Sequence, residues 1–279
     1  MSLAGSLNGY HATVKFRLVT WNMDWRGHRR MADSAWRYLR EDLGADLALV
    51  QESVPPADCA GAVYRQGGIG PTRPWGSAVV SFGPALSEVT AVTVGNPPVT
   101  VNPARSFPGA VAVASVEELQ SGGAPLVLVS MYGLLEGGYA ITTVHQVLND
   151  LTFLLDSGLG KNVIVGGDLN CSTQLTGRDR ARHQNLFERF NTLGLAMLLR
   201  PVSAGNVSPL GCDCDDDPCQ HVQTHRHVLS KKPWQDDYLF CTKALLERVE
   251  SVKAVDAGPG GRWELSDHLP IVAEVNLAD

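Results

Sequence analysis

Four apolar runs in this 279-residue chain break off into polar residues that a strand buried on both faces would not choose for packing. Leu18-Val19-Thr20-Trp21 leads into Asn22-Met23-Asp24, and Leu47-Ala48-Leu49-Val50-Gln51 into Glu52. Leu126 to Met131 leads into Tyr132, and Val163-Ile164-Val165-Gly166-Gly167 into Asp168-Leu169-Asn170. Open α/β sheets gather ligands beyond the carboxyl ends of their strands, so these termini predict one shared rim. Asn22 and Asp24, like Asp168 and Asn170, are two apart and point the same way on extended chain. Near the C-terminus, Ser266-Asp267-His268 precedes an apolar run, and Asp237 opens another, so antiparallel strands would bring both to that rim. A carboxylate beside a late histidine orients an imidazole and favours its charged form.

Short β-branched or leucine-rich runs separated by Gly and Pro predict strands near Lys15–Thr20, Leu47–Val50, Ser77–Ser81, Val111–Ser115, Leu126–Ser130, Asn162–Val165, Asp237–Cys241, Val249–Val255 and Leu269–Val275. Helical spacing predicts helices over Ala32–Leu43, Thr142–Leu155 and Arg182–Leu193. With 44% hydrophobic and 19% charged residues, the chain has core material for one α/β domain spanning 1–279. The net charge of −6 argues against a uniformly cationic nucleic-acid surface and leaves room for a local basic patch. With neither a signal-peptide pattern nor a spanning apolar run, a cytoplasmic protein without membrane insertion is expected. Nothing specifies an assembly, so a monomer is expected.

The segments Thr20-Trp21-Asn22, Val50-Gln51-Glu52, Gly76 to Ser81, Gly166-Gly167-Asp168-Leu169-Asn170, Asp237-Tyr238 and Ser266-Asp267-His268 together resemble the endonuclease/exonuclease/phosphatase superfamily, in its order and over nearly the whole chain. That superfamily includes AP endonucleases, deoxyribonucleases, neutral sphingomyelinases and inositol polyphosphate 5-phosphatases. The resemblance implies a four-layered α/β sandwich of two mixed β-sheets flanked by helices, with the site at one edge. It implies a divalent metal, magnesium or manganese, on Glu52 with Asn22, Asp267 and Asp24 close by; oxygen ligands suit such hard cations. It further implies that Asp168 orients or deprotonates the attacking water, that Asn170 holds Asp168 or the phosphate, and that His268, held by Asp237, stabilises the developing charge. Tyr132 would donate to phosphate. The expected reaction is hydrolysis of a phosphodiester, in nucleic acid or a small ester, by direct water attack. A phosphomonoesterase or inositol/lipid-type phosphatase is the alternative, and a non-catalytic binding protein a more distant one. Two departures argue against an abasic-site substrate: no asparagine follows Tyr132 at short interval, and Asp236 replaces the usual apolar residue before Asp237.

Two features lie outside that resemblance. The insert at 211–227 concentrates Cys212, Cys214, Cys219 and His221, a donor set for a closed structural zinc site, although its Cys-x-Cys spacing and four aspartates also suit a solvated acidic loop. His225 and His227 alternate, so at most one faces the rim. Arg26, Arg29 and Arg30 after the first run, and Arg178, Arg180 and Arg182 after the Asp168 run, are candidates to grip substrate phosphates or to form a solvated surface.

Overall fold

The computed structural model describes residues 15–59, 61–66, 73–121, 123–135, 140–200, 212, 214, 216, 219–227, 229–255 and 262–278. The N-terminal stretch 1–14, Glu136 and, of the insert's aspartates, all but Asp216 lie outside them.

Two six-stranded mixed sheets form the centre. One runs Val249–Ala254, Ile271–Asn276, Lys15–Asn22, Leu47–Ser53, Gly76–Ser81, Gly61–Gln66; the other runs Leu195–Met197, Asp237–Thr242, Val163–Asp168, Ala124–Met131, Val111–Ser121, Ser87–Glu88. The sheets pack face to face through alternate residues of the apolar runs: Leu18, Leu47, Leu49 and Val79 meet Leu126, Leu128, Ile164 and Leu239. The intervening residues face outward. Val127, Val129, Val163, Val165 and Phe240 pack on the helices Ile141–Leu155 and Gly177–Thr192 through Val144, Leu148, Leu151, Leu186 and Phe190. Val19, Trp21, Ala48 and Val50 pack on Trp36 and Leu39. Layers of helix, sheet, sheet and helix follow, and each run is apolar throughout because both its faces are covered.

All nine expected strands are present, most extended by one or more residues at an end. The helix expected at Ala32–Leu43 is α-helical over Ala32–Arg37 and widens over Tyr38–Asp42, where Leu43 N donates to Tyr38 O at 2.9 Å. Several short or edge strands, among them Gly61–Gln66 and Leu195–Met197, were not expected. No helix among the described residues is long and apolar enough to cross a membrane.

Strand direction puts the polar termini together. Lys15–Asn22 runs parallel to Leu47–Ser53, and Ala124–Met131 parallel to Val163–Asp168, so Asn22, Glu52, Tyr132 and Asp168 lie at carboxyl ends. Asp237–Thr242 runs antiparallel to Val163–Asp168, with Asp237 directly opposite Asp168. Ile271–Asn276 runs antiparallel to Lys15–Asn22, pairing Ile271 with Thr20, which carries His268 to the Asn22 end.

Candidate active site

Asp168 is almost fully buried, and its carboxylate is clamped. Asn22 Nδ2 donates to Oδ2 at 2.8 Å, Asn170 N to Oδ1 at 2.8 Å, and Asn170 Nδ2 to Oδ2 at 3.2 Å. Across from it His268 Nε2 stands 3.9 Å from Oδ2, beyond hydrogen-bond distance, while His268 Nδ1 bonds Asp237 Oδ2 at 2.7 Å. The His268 loop is pinned to the adjoining strand end: Trp21 Nε1 donates to His268 O at 2.9 Å, Ser266 Oγ to Asn22 O at 2.7 Å, and His268 N to Ser266 Oγ at 3.0 Å. Burial lowers the proton affinity of His268, but Asp237 and Asp168 outweigh it, so the imidazole titrates well above its ordinary value. Burial, opposed by His268, pushes Asp168 well up, and the Asp237 and Asp236 charges push it further.

Asn22, expected beside the metal, is held at both ends of its side chain. Its Oδ1 accepts from Asp24 N at 2.9 Å, which fixes the amide so that Nδ2 faces Asp168. The amide thereby links Asp24 N to the Asp168 carboxylate. Tyr132 lies at the rim as expected, and its hydroxyl donates to Glu52 Oε1 at 2.8 Å. Burial and the Glu52 charge hold Tyr132 as the phenol, and burial raises Glu52 against the opposing Tyr132 bond. Asp24 caps the turn Trp25–His28 through Gly27 N at 2.9 Å, and its charge raises Glu52 further. Asp24, Glu52 and Asn170 have φ of 42°, 45° and 49°, a conformation that costs a non-glycine residue energy. Such outliers collect at sites where surrounding structure over-determines the backbone.

Sequence reasoning missed a second imidazole–carboxylate pair. His225 Nδ1 bonds Asp236 Oδ2 at 2.8 Å, and the His225 ring stacks on His268 with centroids 4.3 Å apart. Asp267 lies beneath both, 3.8 Å from His225 Nε2 and 3.8 Å from His268 Nε2. Thr224 Oγ1 accepts from the backbone N–H of both Asp236 and Asp237 at 3.1 Å, tying this pair to the Asp237 strand. The alternation of His225 and His227 was the available signal, and Asp236 is the unusual residue already visible before Asp237.

The arginines divide. The exposed Arg26 guanidinium lies 5.6 Å from the Trp75 ring centre and Arg73 4.8 Å from it, while Trp75 meets Tyr132 edge-on at 5.6 Å. Arg73 Nη1 is buried without a hydrogen-bond partner among the described residues, and sequence reasoning did not single it out. Arg29 covers Trp25 at 5.2 Å, and Arg30 is exposed. The second group sits on the first turns of the helix Gly177–Thr192 instead of on a loop. Arg180 pairs with Asp216 at 2.5 Å, Arg182 with Asp179 at 3.6 Å, and Arg178 lines a groove with His145 and Ile141. Arg180 is therefore a tie to the cysteine-rich segment, not a free phosphate grip. In that segment Cys212, Cys214, Cys219 and His221 converge, with ligand atoms within 4.8 Å of one another.

The donor set fits a hard cation. Asp168, Asp237 and His268, and His225, Asp267 and His268, form groups with ligand atoms within 4.8 Å of one another, Glu52 and Asp24 stand outside both groups, and burial with neighbouring carboxylates disfavours ionised Glu52 and Asp168. Oxygen-rich, anionic and partly dry surroundings are what magnesium or manganese neutralises.

No protein-family model matches the sequence, and no curated protein matches it. Solved structures do. The endonuclease domain of TRAS1, a telomere-specific non-LTR retrotransposon, aligns with TM-score 0.58 at 18% identity over 93% of this chain and 98% of that one. The AP endonuclease LMAP from Leishmania major gives 0.65 at 16% over 94% and 87%, and an AP endonuclease from Archaeoglobus fulgidus 0.59 at 17% over 92% and 98%. At these identities the likeness is one of fold: the chain has the two-sheet α/β sandwich of these endonuclease structures.

Proposed function

We propose that this chain hydrolyses phosphodiesters, in nucleic acid or small esters, with the help of magnesium or manganese. The observation that carries the reading is the buried Asp237–His268 pair facing a clamped Asp168 across 3.9 Å. Glu52, with Asp24 and Asp267, would hold the cation. A cation held there would supply charge neutralisation at phosphate oxygens. The chain's own groups do the rest. Asp168, fixed by Asn22 and Asn170, orients a water in line with the scissile bond and takes its proton as the oxygen attacks phosphorus. The P–O ester bond breaks, and the leaving oxygen takes a proton from solvent. His268, kept charged and oriented by Asp237, donates to a non-bridging oxygen where charge grows. Tyr132 orients Glu52. His225, stacked on His268 and anchored by Asp236, fixes the plane of the catalytic imidazole.

The test is hydrolysis of bis-p-nitrophenyl phosphate, p-nitrophenyl phosphate, single-stranded and duplex oligonucleotides and inositol phosphates, with magnesium or manganese and with chelator. Diester cleavage that requires metal is expected. Turnover of monoesters alone would replace this reading with a phosphatase, and no turnover of any ester with metal present would defeat it.

Arg26 and Arg73 supply positive charge beside the Glu52–Tyr132 side of the rim, and Arg73 has a donor to spare. Replacing both by alanine is expected to raise KM for a single-stranded oligonucleotide about tenfold and to flatten its salt dependence by one to two counterions, roughly 0.7 per lost contact. Turnover of the small diester should change less than about threefold. An unchanged KM and salt slope would show that the two arginines only pack on Trp75.

A further inference from the structure

We infer that Cys212, Cys214, Cys219 and His221 bind one zinc ion, in a closed site separate from the carboxylate rim. Their ligand atoms lie within 4.8 Å of one another, with His221 Nδ1 3.7 Å from Cys212 Sγ and 3.5 Å from Cys219 Sγ. With Zn–S near 2.3 Å and Zn–N near 2.0 Å, tetrahedral ligands stand roughly 3.5–3.8 Å apart, so His221 already has zinc-shell spacing to Cys212 and Cys219, and the remaining donor pairs lie within 4.8 Å. The imidazole is set up for this role. Its Nδ1 faces the thiols while Nε2 lies 2.7 Å from Thr173 Oγ1, the outward hydrogen bond that fixes the tautomer of a ligating histidine. His221 is buried, and Gln174 Nε2 donates to Cys212 Sγ at 3.2 Å, a polar contact suited to a thiolate.

A disulfide does not account for the arrangement. No disulfide joins Cys212, Cys214 or Cys219, and any pairing would strand the third beside the imidazole. Nor does apolar packing, since Val222 is the nearest following residue to enter the core. The segment is held by polar ties: Thr173 to His221 and Gln174 to Cys212 at the donors themselves, and beside them Arg180 to Asp216 and Val222 N to Gln235 Oε1 at 2.9 Å. Two residues beyond Val222, Thr224 caps the amides of Asp236 and Asp237, and His225 stacks on His268. Zinc here would fasten the strap that carries His225 to the Asp168–Asn170 loop and its following helix. A soft thiolate set selects zinc over the hard cation of the rim, so the two sites separate by ligand chemistry.

The experiment is metal analysis of the chain isolated under reducing conditions, followed by cobalt substitution and by Cys214→Ser and Cys219→Ser. About one zinc per chain is expected, released on thiol modification. Cobalt should give a near-ultraviolet thiolate charge-transfer band and visible tetrahedral bands. Each serine variant should lose zinc and the thiolate band, with Tm lowered by about 5 °C or more in magnesium-free buffer. If a variant does not fold, the cobalt spectrum of the unaltered chain decides. Cobalt or zinc bound without a thiolate signature would place the ion on the carboxylate rim and overturn the inference. So would a chain without zinc whose three thiols react freely, or a Cys–Cys disulfide in the freshly isolated protein.

Discussion

Asp168→Asn is expected to lower kcat for metal-supported diester hydrolysis by about 10³-fold, within the 10²–10⁴ typical of a lost general base. The substitution keeps shape but cannot accept the water's proton. It also disturbs the clamp. Asp168 accepts from Asn22 Nδ2 at one oxygen and from Asn170 N at the other, so either orientation of the new amide sets an N–H against a donor. That conflict costs about 1–2 kcal/mol. Removing a charge beside Asp237 and Asp236 offsets part of it, because both raise Asp168's proton affinity. The fold should therefore survive, and circular dichroism with a melting curve will show whether it does. His268→Asn should cost less, about 10²-fold, since the imidazole stabilises charge and does not accept the proton. If Asp168→Asn keeps more than a tenth of the wild-type kcat in a folded chain, the water is activated elsewhere.

The rim was legible in the sequence because it conflicts with packing. Runs such as Val163 to Gly167 are covered on both faces, so the carboxylate that follows has no packing reason to be there, and strand direction then fixes where it lies. Edge elements were less legible. Gly61–Gln66 and Leu195–Met197 are held by pairing with Gly76–Ser81 and Asp237–Thr242 more than by a buried pattern of their own. Side-chain contacts were less legible where a hydrogen bond's direction is set by a neighbour distant in sequence. Asn22 could be placed at the rim, yet only the fold shows its oxygen on Asp24 N and its amide on Asp168. Tyr132 could be placed at the rim, yet only the fold brings Glu52 to within 2.8 Å of its hydroxyl. His225 is 43 positions from His268, and a single antiparallel bridge between those two residues creates their stack.

Gly167→Ala is expected to destabilise the chain by about 3 kcal/mol and to remove activity with it, through backbone geometry alone. Gly167 has φ of 150°, which L side chains rarely adopt, and a Cβ there would stand 1.8 Å from Met131 O and 3.0 Å from Gln51 Nε2. Neither neighbour can give way cheaply. Met131 ends the strand paired with Val163–Asp168, and Gly133 N donates to Asp168 O at 2.7 Å just beyond it. Gln51 is buried, with Nε2 on Ser130 Oγ at 3.0 Å. Relief requires the strand end to move away from Met131, which would carry Asp168 from Asn22 and from its position opposite Asp237. Gly158→Ala supplies the control, since a Cβ there meets nothing within 4 Å. Its urea midpoint should shift by no more than about 0.5 kcal/mol equivalent, in either direction. A Gly167→Ala chain with the unaltered midpoint would mean that the approach of Met131 O is looser than 1.8 Å implies. A lowered midpoint with full activity would separate the strand end from the catalytic carboxylate. Loss of both ties the glycine to the chemistry: the absence of a side chain at position 167 lets two strands close tightly enough to hold a buried carboxylate at the rim.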